Sequence, residues 1–480
     1  MVEKEVSEGI LDWQHRRLTL GTILAISVVA FEALALATVA PVIARDLDGL
    51  GLYGWIFSAF LLAQIVGAVA AGEQVDRRGP AVPFLVSLML LGAGLFVGAL
   101  SPGMGVLIFG RALQGLGGGA LVACVYTIIN TSYPDSLRPR MMAAFSSAFI
   151  LPALVGPAIA GFVADEFTWR AIFYGFLPFL FLVGVLAVPA FDRQALKEND
   201  TTAESPELGR LPGAILLAAG TGLLLAGLKI ASGEKLALLG GQEVPAVVVS
   251  LLMVLVGILV VVPALRKVLP YGTLVARRGL PATVSTKGLM AAAYFYTEAY
   301  LVLTLNEVSD YRATTAGLVI SAGAISWTAG TWLQERLDRR HEGRGRRTRV
   351  LNGAVLMTIG ILSLAAAVII IGEIPLSVAL AGWLISGLGM GFANPASATI
   401  AFAHAPSGRE GVVSSSVLIA ELFGPATIIG VGGALVALGA ASDGGVKLGV
   451  ALAFGLSPLL VFLLLISALR LPPDQPNGAS

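Results

Sequence analysis

LTLGTILAISVVAFEALALATVAPV, residues 18–42, is an apolar run broken by one charge, Glu32. About 20 such residues suffice for a helix to cross a bilayer. A carboxylate near the centre of such a helix costs about 2.5–3.5 kcal/mol even on the gentlest insertion scale, so it marks a functional site by default. A second run, 284–306, repeats the arrangement: Thr297-Glu298-Ala299-Tyr300 answers Phe31-Glu32-Ala33-Leu34. One titratable group at the same place in each half of the chain suggests a duplicated translocation machine.

Composition agrees. The chain has 480 residues, 56% hydrophobic and 13% charged, with a mean hydropathy of +0.86. Soluble domains carry about 25% charged residues, so an all-α polytopic membrane protein is expected. The net charge of +1 says nothing about partners, because the distribution of charge matters and not its sum; no nucleic-acid partner is expected. The single cysteine, Cys124, lies in an apolar run, so neither a disulfide framework nor a thiolate metal cluster is expected. His15, His341 and His404 fall in polar segments and read as solvated surface. There is no Walker sequence, Ser/His/Asp arrangement or metal-ligand spacing, so the chain is read as no enzyme and as needing neither cofactor nor metal. The acidic, amphipathic N-terminus (Glu3, Lys4, Glu5, Glu8) lacks a small-residue cleavage site, so the first run is expected to be a retained helix.

Fourteen membrane-length runs can be marked: 18–42, 53–73, 81–100, 104–129, 141–164, 170–190, 211–230, 244–264, 284–306, 313–334, 350–371, 374–399, 411–438 and 446–470. An even number puts both termini on one side, and the positive-inside rule chooses which. With the N-terminus inside, twenty-four Lys and Arg fall in inner segments, six in outer ones, and Arg111 within the fourth run. The cluster Arg336, Arg339, Arg340, Arg344, Arg346, Arg347, Arg349 weighs most. The expected topology is N-in, C-in.

Self-comparison sharpens the duplication. Ser146-Ser147 with Gly156-Pro157-Ala158 recurs as Ser414-Ser415 with Gly424-Pro425-Ala426. Gly115-Leu116-Gly117-Gly118-Gly119 recurs as Gly387-Leu388-Gly389-Met390-Gly391, and Asp76-Arg77-Arg78 as Asp338-Arg339-Arg340. The matches come in the same order at nearly equal offsets. They imply two six-helix parallel repeats related by an axis along the membrane normal, with two inserted helices between them. The expected divisions are a cytoplasmic N-terminus (1–17), an N-terminal bundle (18–190), a segment 191–283 holding a polar linker and the inserted helices 211–230 and 244–264, a C-terminal bundle (284–470) and a tail (471–480). The inserted helices are expected at the periphery. The basic stretch 265–283 is expected to lie along the inner leaflet as an amphipathic element.

Gly72-Glu73-Gln74-Val75-Asp76-Arg77-Arg78-Gly79 follows the second run. An acid in this turn can accept from the backbone N–H groups of a neighbouring helix start, and the bases can bridge to helix-end carbonyls. The result would be a latch at the cytoplasmic mouth; the plainer reading is a short basic loop. Gly72, Asp76, Arg77, Gly79 and, by repetition, Asp338 and Arg339 are the gate candidates. The stretch resembles the G-x-L-A-D-R-x-G signature of the major facilitator superfamily, with Gln74 and Val75 departing from it and Pro80 where a base is usual. Arg111-Ala112-Leu113-Gln114-Gly115 resembles that family's R-x-x-Q-G motif, and Gly156-Pro157 with Gly161 its proton-exporter element. Phe31–Pro41 is similar to the first-helix motif of the fourteen-helix drug:proton antiporters, with Glu32 for their usual Asp.

The resemblance implies a major facilitator fold and a proton-coupled secondary transporter that exports hydrophobic or amphiphilic molecules. The alternatives are a lipid or metabolite exporter, a proton-coupled importer, or a sensor that transports nothing. Glu32, Arg111, Glu298 and Glu421 are the proton-coupling candidates. At about 1.5 Å per residue, Glu32 and Arg111 fall at similar depth in one half. Gly115, Gly156, Pro157, Gly161, Gly424 and Pro425 let helices approach or bend, as packing or as hinges. Gln114, Tyr294, Tyr296, Tyr300 and Asn394 are the substrate-cavity candidates. Small molecules, protons and the bilayer are the expected partners of a monomer in the inner (plasma) membrane.

Overall fold

Among the described residues, fourteen segments are long and apolar enough to cross a membrane. The computed structural model describes residues 9–12, 15–191, 210–231, 235–237, 243–406 and 409–473. The first half comprises α1 (Arg16–Asp46), α2 (Tyr53–Arg78), α3 (Ala81–Ala99), α4 (Met104–Ser132), α5 (Arg138–Ser147), α6 (Ile150–Glu166) and α7 (Arg170–Phe191). Two inserted helices follow, α8 (Arg210–Ile230) and α9 (Ala246–Val268), joined by a ribbon of β1 (Lys235–Ala237) paired antiparallel with β2 (Glu243–Pro245), Leu236 opposite Val244. The second half comprises α10 (Leu280–Glu307), α11 (Ala313–Arg340), α12 (Arg346–Ala366), α13 (Leu376–Ala403), α14 (Glu410–Ala440), α15 (Gly445–Phe454) and α16 (Ser457–Leu469).

Two of the fourteen segments are broken helices, and proline explains the first break. Pro152 has no N–H to bond the carbonyl of Ala148, so the chain turns at Ala148–Phe149 between α5 and α6. The freed Ala148 carbonyl accepts from Ser27 Oγ of α1 at 3.2 Å. In hydrocarbon such a group needs another partner, and here it has one. Pro458 stands likewise beside the break between α15 and α16. Its missing N–H cannot reach the carbonyl four residues back, at Phe454, where α15 ends.

Glycines hold each half together by backbone contact. On α4, a side-chain carbon at Gly117 would sit 2.7 Å from the Ser87 carbonyl of α3, and carbons at Gly115 and Gly119 would strike the Phe60 and Gln64 carbonyls of α2. On α13, Gly389 lies equally close to Gly353 of α12, and Gly387 and Gly391 to Gly323 and Trp327 of α11. The repeated glycine string is therefore one packing device used twice, with α4 wedged between α2 and α3 and α13 between α11 and α12.

The halves meet along two seams. At the α2–α14 seam, Gly54 lies against Ile429, Gly430 and Gly433. At the α6–α11 seam, Gly161 lies against Ala313 and Gly317 against the Pro157 carbonyl. The helix ends carrying Asp46, Glu166 and Glu307 form what we term the far end, and those carrying Arg78, Arg340 and Leu469 the near end. The inserted pair sits outside the first seam. Glu73 Oε1 of α2 accepts from the Leu211 N–H in the first turn of α8 at 3.2 Å, Leu225 of α8 packs on Gly430 of α14, and Ser416 Oγ of α14 donates to the Val268 carbonyl ending α9 at 3.2 Å. The outer face of α9 is bare, with Leu251 and Leu259 64% and 63% exposed.

Residues 265–283 are not one continuous helix. α9 continues to Val268, and a loop then turns through left-handed Gly272 (φ +89°) and Ala276 (φ +46°) around a 3-10 turn at Thr273–Val275. Pro270 and the two glycines, Gly272 and Gly279, break any helical run there. The polar linker expected from residue 191 lies, over 192–209, outside the described residues.

The glycine wedge predicts its own test. Gly117→Val should lower detergent thermal stability by about 1–3 kcal/mol, the usual cost of overpacking. Gly105→Ala, where added bulk meets nothing within 4 Å, should leave it unchanged. Equal melting of the two variants would contradict the close approach.

Candidate functional site

In the first half, four helices converge on one cation. Arg111 of α4 is 2% exposed. It donates through Nη1 to Glu32 Oε1 of α1 and to its neighbour Gln114 Oε1, and through Nε to the Ile56 carbonyl of α2 at 3.1 Å. Its guanidinium lies 4.2 Å from the centre of the Phe60 ring. Gln114 passes the connection to α3 by donating to the Gly94 carbonyl at 2.8 Å. The second oxygen of Glu32, Oε2, is buried with no partner among the described residues. One acceptor position in the knot is thus open to a proton or a donor from a ligand.

The second half lacks this arrangement. Glu298 of α10 is 4% exposed and makes no ion pair or hydrogen bond among the described residues. Where the repeat would place the counterpart of Arg111, the chain has Trp383 of α13. Its indole stacks on Tyr294 at 4.5 Å and 29°, and Trp327 of α11 meets Tyr294 edge-on at 5.1 Å. Gly323 of α11 makes room for the indole, whose Nε1 is buried without an acceptor. Tyr294 and Glu298 are four residues apart and share one face of α10. The other two tyrosines of the expected cavity point elsewhere. Tyr296 donates to the Ala453 carbonyl at 2.5 Å and Tyr300 to the Ile429 carbonyl at 2.6 Å, so both are consumed in packing against α15 and α14.

Nearer the other end, Glu421 of α14 is ion-paired at 2.7 Å with Lys287 of α10, which also donates to Asn394 Oδ1 of α13. Glu421 and Asn394 are among the candidates read from the sequence but Lys287 is not, because a lysine close to the start of a span reads as a loop cation. Its company with Thr283, Thr286 and Gly288 in a run already holding Glu298 was the available signal.

Of the gate residues, Gly79 ends α2 with φ +73°, Arg77 is exposed, and Gly72 has open space around it. The side chain of Asp76 lies outside the described residues. Asp338 is partly buried. It is held within its own half by Arg346 at 2.7 Å and by Arg349, both at the start of α12. Arg339 pairs with Glu335 one turn away at 3.4 Å. The arginines at the start of α12 thus give Asp338 partners within its own half. Of the hinge candidates, Gly161 and Pro157 lie on the α6–α11 seam, Gly156 faces Phe31 at an ordinary 3.7 Å, and Gly424 packs on Gly288 of its own half.

At the far end the halves are joined by polar bonds. Arg45 of α1 pairs with Glu307 of α10 at 2.6 Å, and Arg312 with Glu166 at 2.5 Å. Asp165 of α6 accepts from the Ala313 and Thr314 N–H groups at 3.2 and 2.8 Å, capping α11 from the opposite half. Tyr53 donates to the Ala299 carbonyl at 2.7 Å, and Ser58 to the Ala426 carbonyl at 2.6 Å.

Comparison with known proteins adds the family. Residues 22–428 match the family model of the Major Facilitator Superfamily. The multidrug transporter protein MdtP of Bacillus subtilis (strain 168) is 29% identical over 171 residues, 36% of this chain and 31% of that protein. The probable multidrug-efflux transporter Rv1634 of Mycobacterium tuberculosis (strain ATCC 25618 / H37Rv) is 33% identical over 149 residues, 31% of each chain. The chain thus spans under a third of those two relatives. A longer match, 25% over 342 residues and 69% of this chain, is the uncharacterized MFS-type transporter YcnB of Bacillus subtilis, 68% of which is covered. A crystal structure of a peptide transporter POT in complex with sulfate superposes with a TM-score of 0.65 over 94% of both chains at 16% identity, a likeness of fold alone. With the family matched across most of its length and fourteen spans to match, this chain belongs to the Major Facilitator Superfamily, a family of transporters and not of enzymes.

Proposed function

We propose that the protein exports hydrophobic or amphiphilic small molecules, drugs among them, in exchange for protons. It would act as a monomer in the plasma (inner) membrane with both termini in the cytoplasm. The observation that carries this reading is Glu298, a buried carboxylate with no cation beside it among the described residues, set one turn from a stacked Tyr294–Trp383 pair. A charge without a partner is expensive in a low-dielectric interior. It is retained where a proton or a ligand cation answers it. Aromatic faces beside it favour a cation or an amphiphile with a flat body. The multidrug relatives support the same substrate class.

On this reading the two carboxylates divide the work. Glu298 binds either a cationic ligand or a proton, so the two compete without any connecting wire. Glu32 alternates between its bond to Arg111 and a proton; when it is neutral, Arg111 keeps Gln114 and the Ile56 carbonyl as acceptors and stays satisfied. The excess of basic residues at the near end supports a cytoplasmic near end. The far-end ion pairs and the Asp165 cap then seal the outside, and the ligand is loaded from within. Asp76 and Arg77, with Gly72 and Gly79, would latch the near end when the cycle reverses.

Three measurements test this. Membrane-impermeant maleimide on intact cells should label Asp443→Cys at a far-end loop and spare Glu342→Cys at a near-end one; the native Cys124 is buried and adds no background. The opposite pattern would invert the topology. Glu32→Gln should bind ligand normally in detergent yet lose concentrative transport in liposomes with an imposed pH gradient. Uphill transport by that variant would remove Glu32 from coupling. Glu298→Gln should weaken a lipophilic cation about tenfold, about 1.4 kcal/mol, and an isosteric neutral ligand little. In the wild type, cation affinity should fall as pH falls. Equal losses for both ligands, or affinity indifferent to pH, would make Glu298 structural. A wild type that moves no solute under any gradient would favour the sensor alternative.

A further inference from the structure

Lys287, Tyr294 and Glu298 lie on one stripe of α10. Steps of seven and four residues return nearly to the same angular position on a helix turning 100° per residue. The stripe therefore reads, from the near end toward the far end, base, aromatic, acid. Its two charges differ in a way that matters. Glu298 has no counter-ion among the described residues. Lys287 has one, Glu421, but that partner comes from another helix and is 29% exposed, whereas Lys287 itself is 4% exposed. The cation is fixed and its anion is loose. Glu421 also lies within electrostatic range of Tyr126 of α4, a helix of the other half. An ammonium has three donors. Glu421 and Asn394 take two of them.

We propose that Lys287 recognises an anionic group on the ligand. A ligand carboxylate displaces Glu421 from the Lys287 ammonium while Asn394 stays bound, so the cavity accepts zwitterionic amphiphiles as well as cations. The Cα atoms of Lys287 and Glu298 stand ~16 Å apart along the axis at ~1.5 Å per residue. Both side chains are long enough to lean toward each other. The charges recognised are then on the order of 10 Å apart, with an apolar body passing Tyr294 between them. Displacing Glu421 strands no charge in the protein, because its exposure lets water or a proton take it over.

This rests on the export reading, since it assigns a ligand class to the same cavity. The test uses rhodamine B, which carries a free carboxylate, and its ethyl ester, a cation of the same shape. Both are titrated by fluorescence polarisation onto the full-length protein in detergent. Glu421→Gln removes the internal competitor and should tighten rhodamine B about fivefold without tightening the ester. Adding Lys287→Gln gives a doubly neutral variant with no buried unpaired charge to unfold it. It should lose that gain and weaken rhodamine B about tenfold relative to the single variant, with the ester unaffected. If the two dyes move together in either variant, or neither moves, Lys287–Glu421 is a structural ion pair and the inference fails while the export reading stands. If the wild type binds neither dye, the export reading fails and takes this one with it.

Discussion

The scarcity of answering charges inside a bilayer governs this molecule. Each ionised group between the helices must find a counter-charge or enough dipoles, or else be neutralised by something from outside. Arg111 solves the problem four times over, with Glu32, Gln114, a carbonyl and a ring, and in doing so ties α1, α2, α3 and α4 at one point. Glu298 does not solve it at all. The asymmetry between two otherwise repeated halves is therefore chemical: the position that holds a guanidinium in one holds an indole in the other. One half pairs its buried carboxylate with a cation and leaves one oxygen over; the other gives its carboxylate no cation among the described residues.

That asymmetry is possible because the framework does not depend on the charges. The glycine faces of α4 and α13 bring backbones together in the same way in both halves. With the helices positioned by van der Waals contact, single side chains at the Arg111 and Trp383 positions are free to diverge. Proline adds the same independence at the break between α5 and α6, where a hydroxyl from α1 repairs what Pro152 takes away.

Much of the architecture was legible in the chain. Span lengths follow from apolar runs, and the glycine string and the Glu32/Glu298 correspondence expose the duplication because membrane helices tolerate few substitutes at close crossings. The candidate site was less legible. Helical spacing places Arg111 and Gln114 on one helix turn, but nothing in the sequence says that Tyr296 and Tyr300 spend their hydroxyls on the Ala453 and Ile429 carbonyls while Tyr294 stacks on Trp383. Hydroxyl partners are set by tertiary neighbours, and on one helix three tyrosines look alike. Asp338 illustrates the same limit, since its motif resemblance to Asp76 carries no information about Arg346 and Arg349 folding back onto it. Lys287 escaped notice because charge near the end of an apolar run is the norm for loops.

The inserted helices carry a consequence of a different kind. Glu73 fastens the start of α8 to α2, and Ser416 fastens the end of α9 to α14, both at the near end. The hairpin is thus stitched to each half, like a gusset across one side of a bag. When the halves part at this end, the stitched side resists while the α6–α11 side has no such cloth over it. The mouth must gape unevenly, widest away from the hairpin. On the export reading proposed above, an amphiphile dissolved in the leaflet at the near end would then find its doorway on one flank of the protein only.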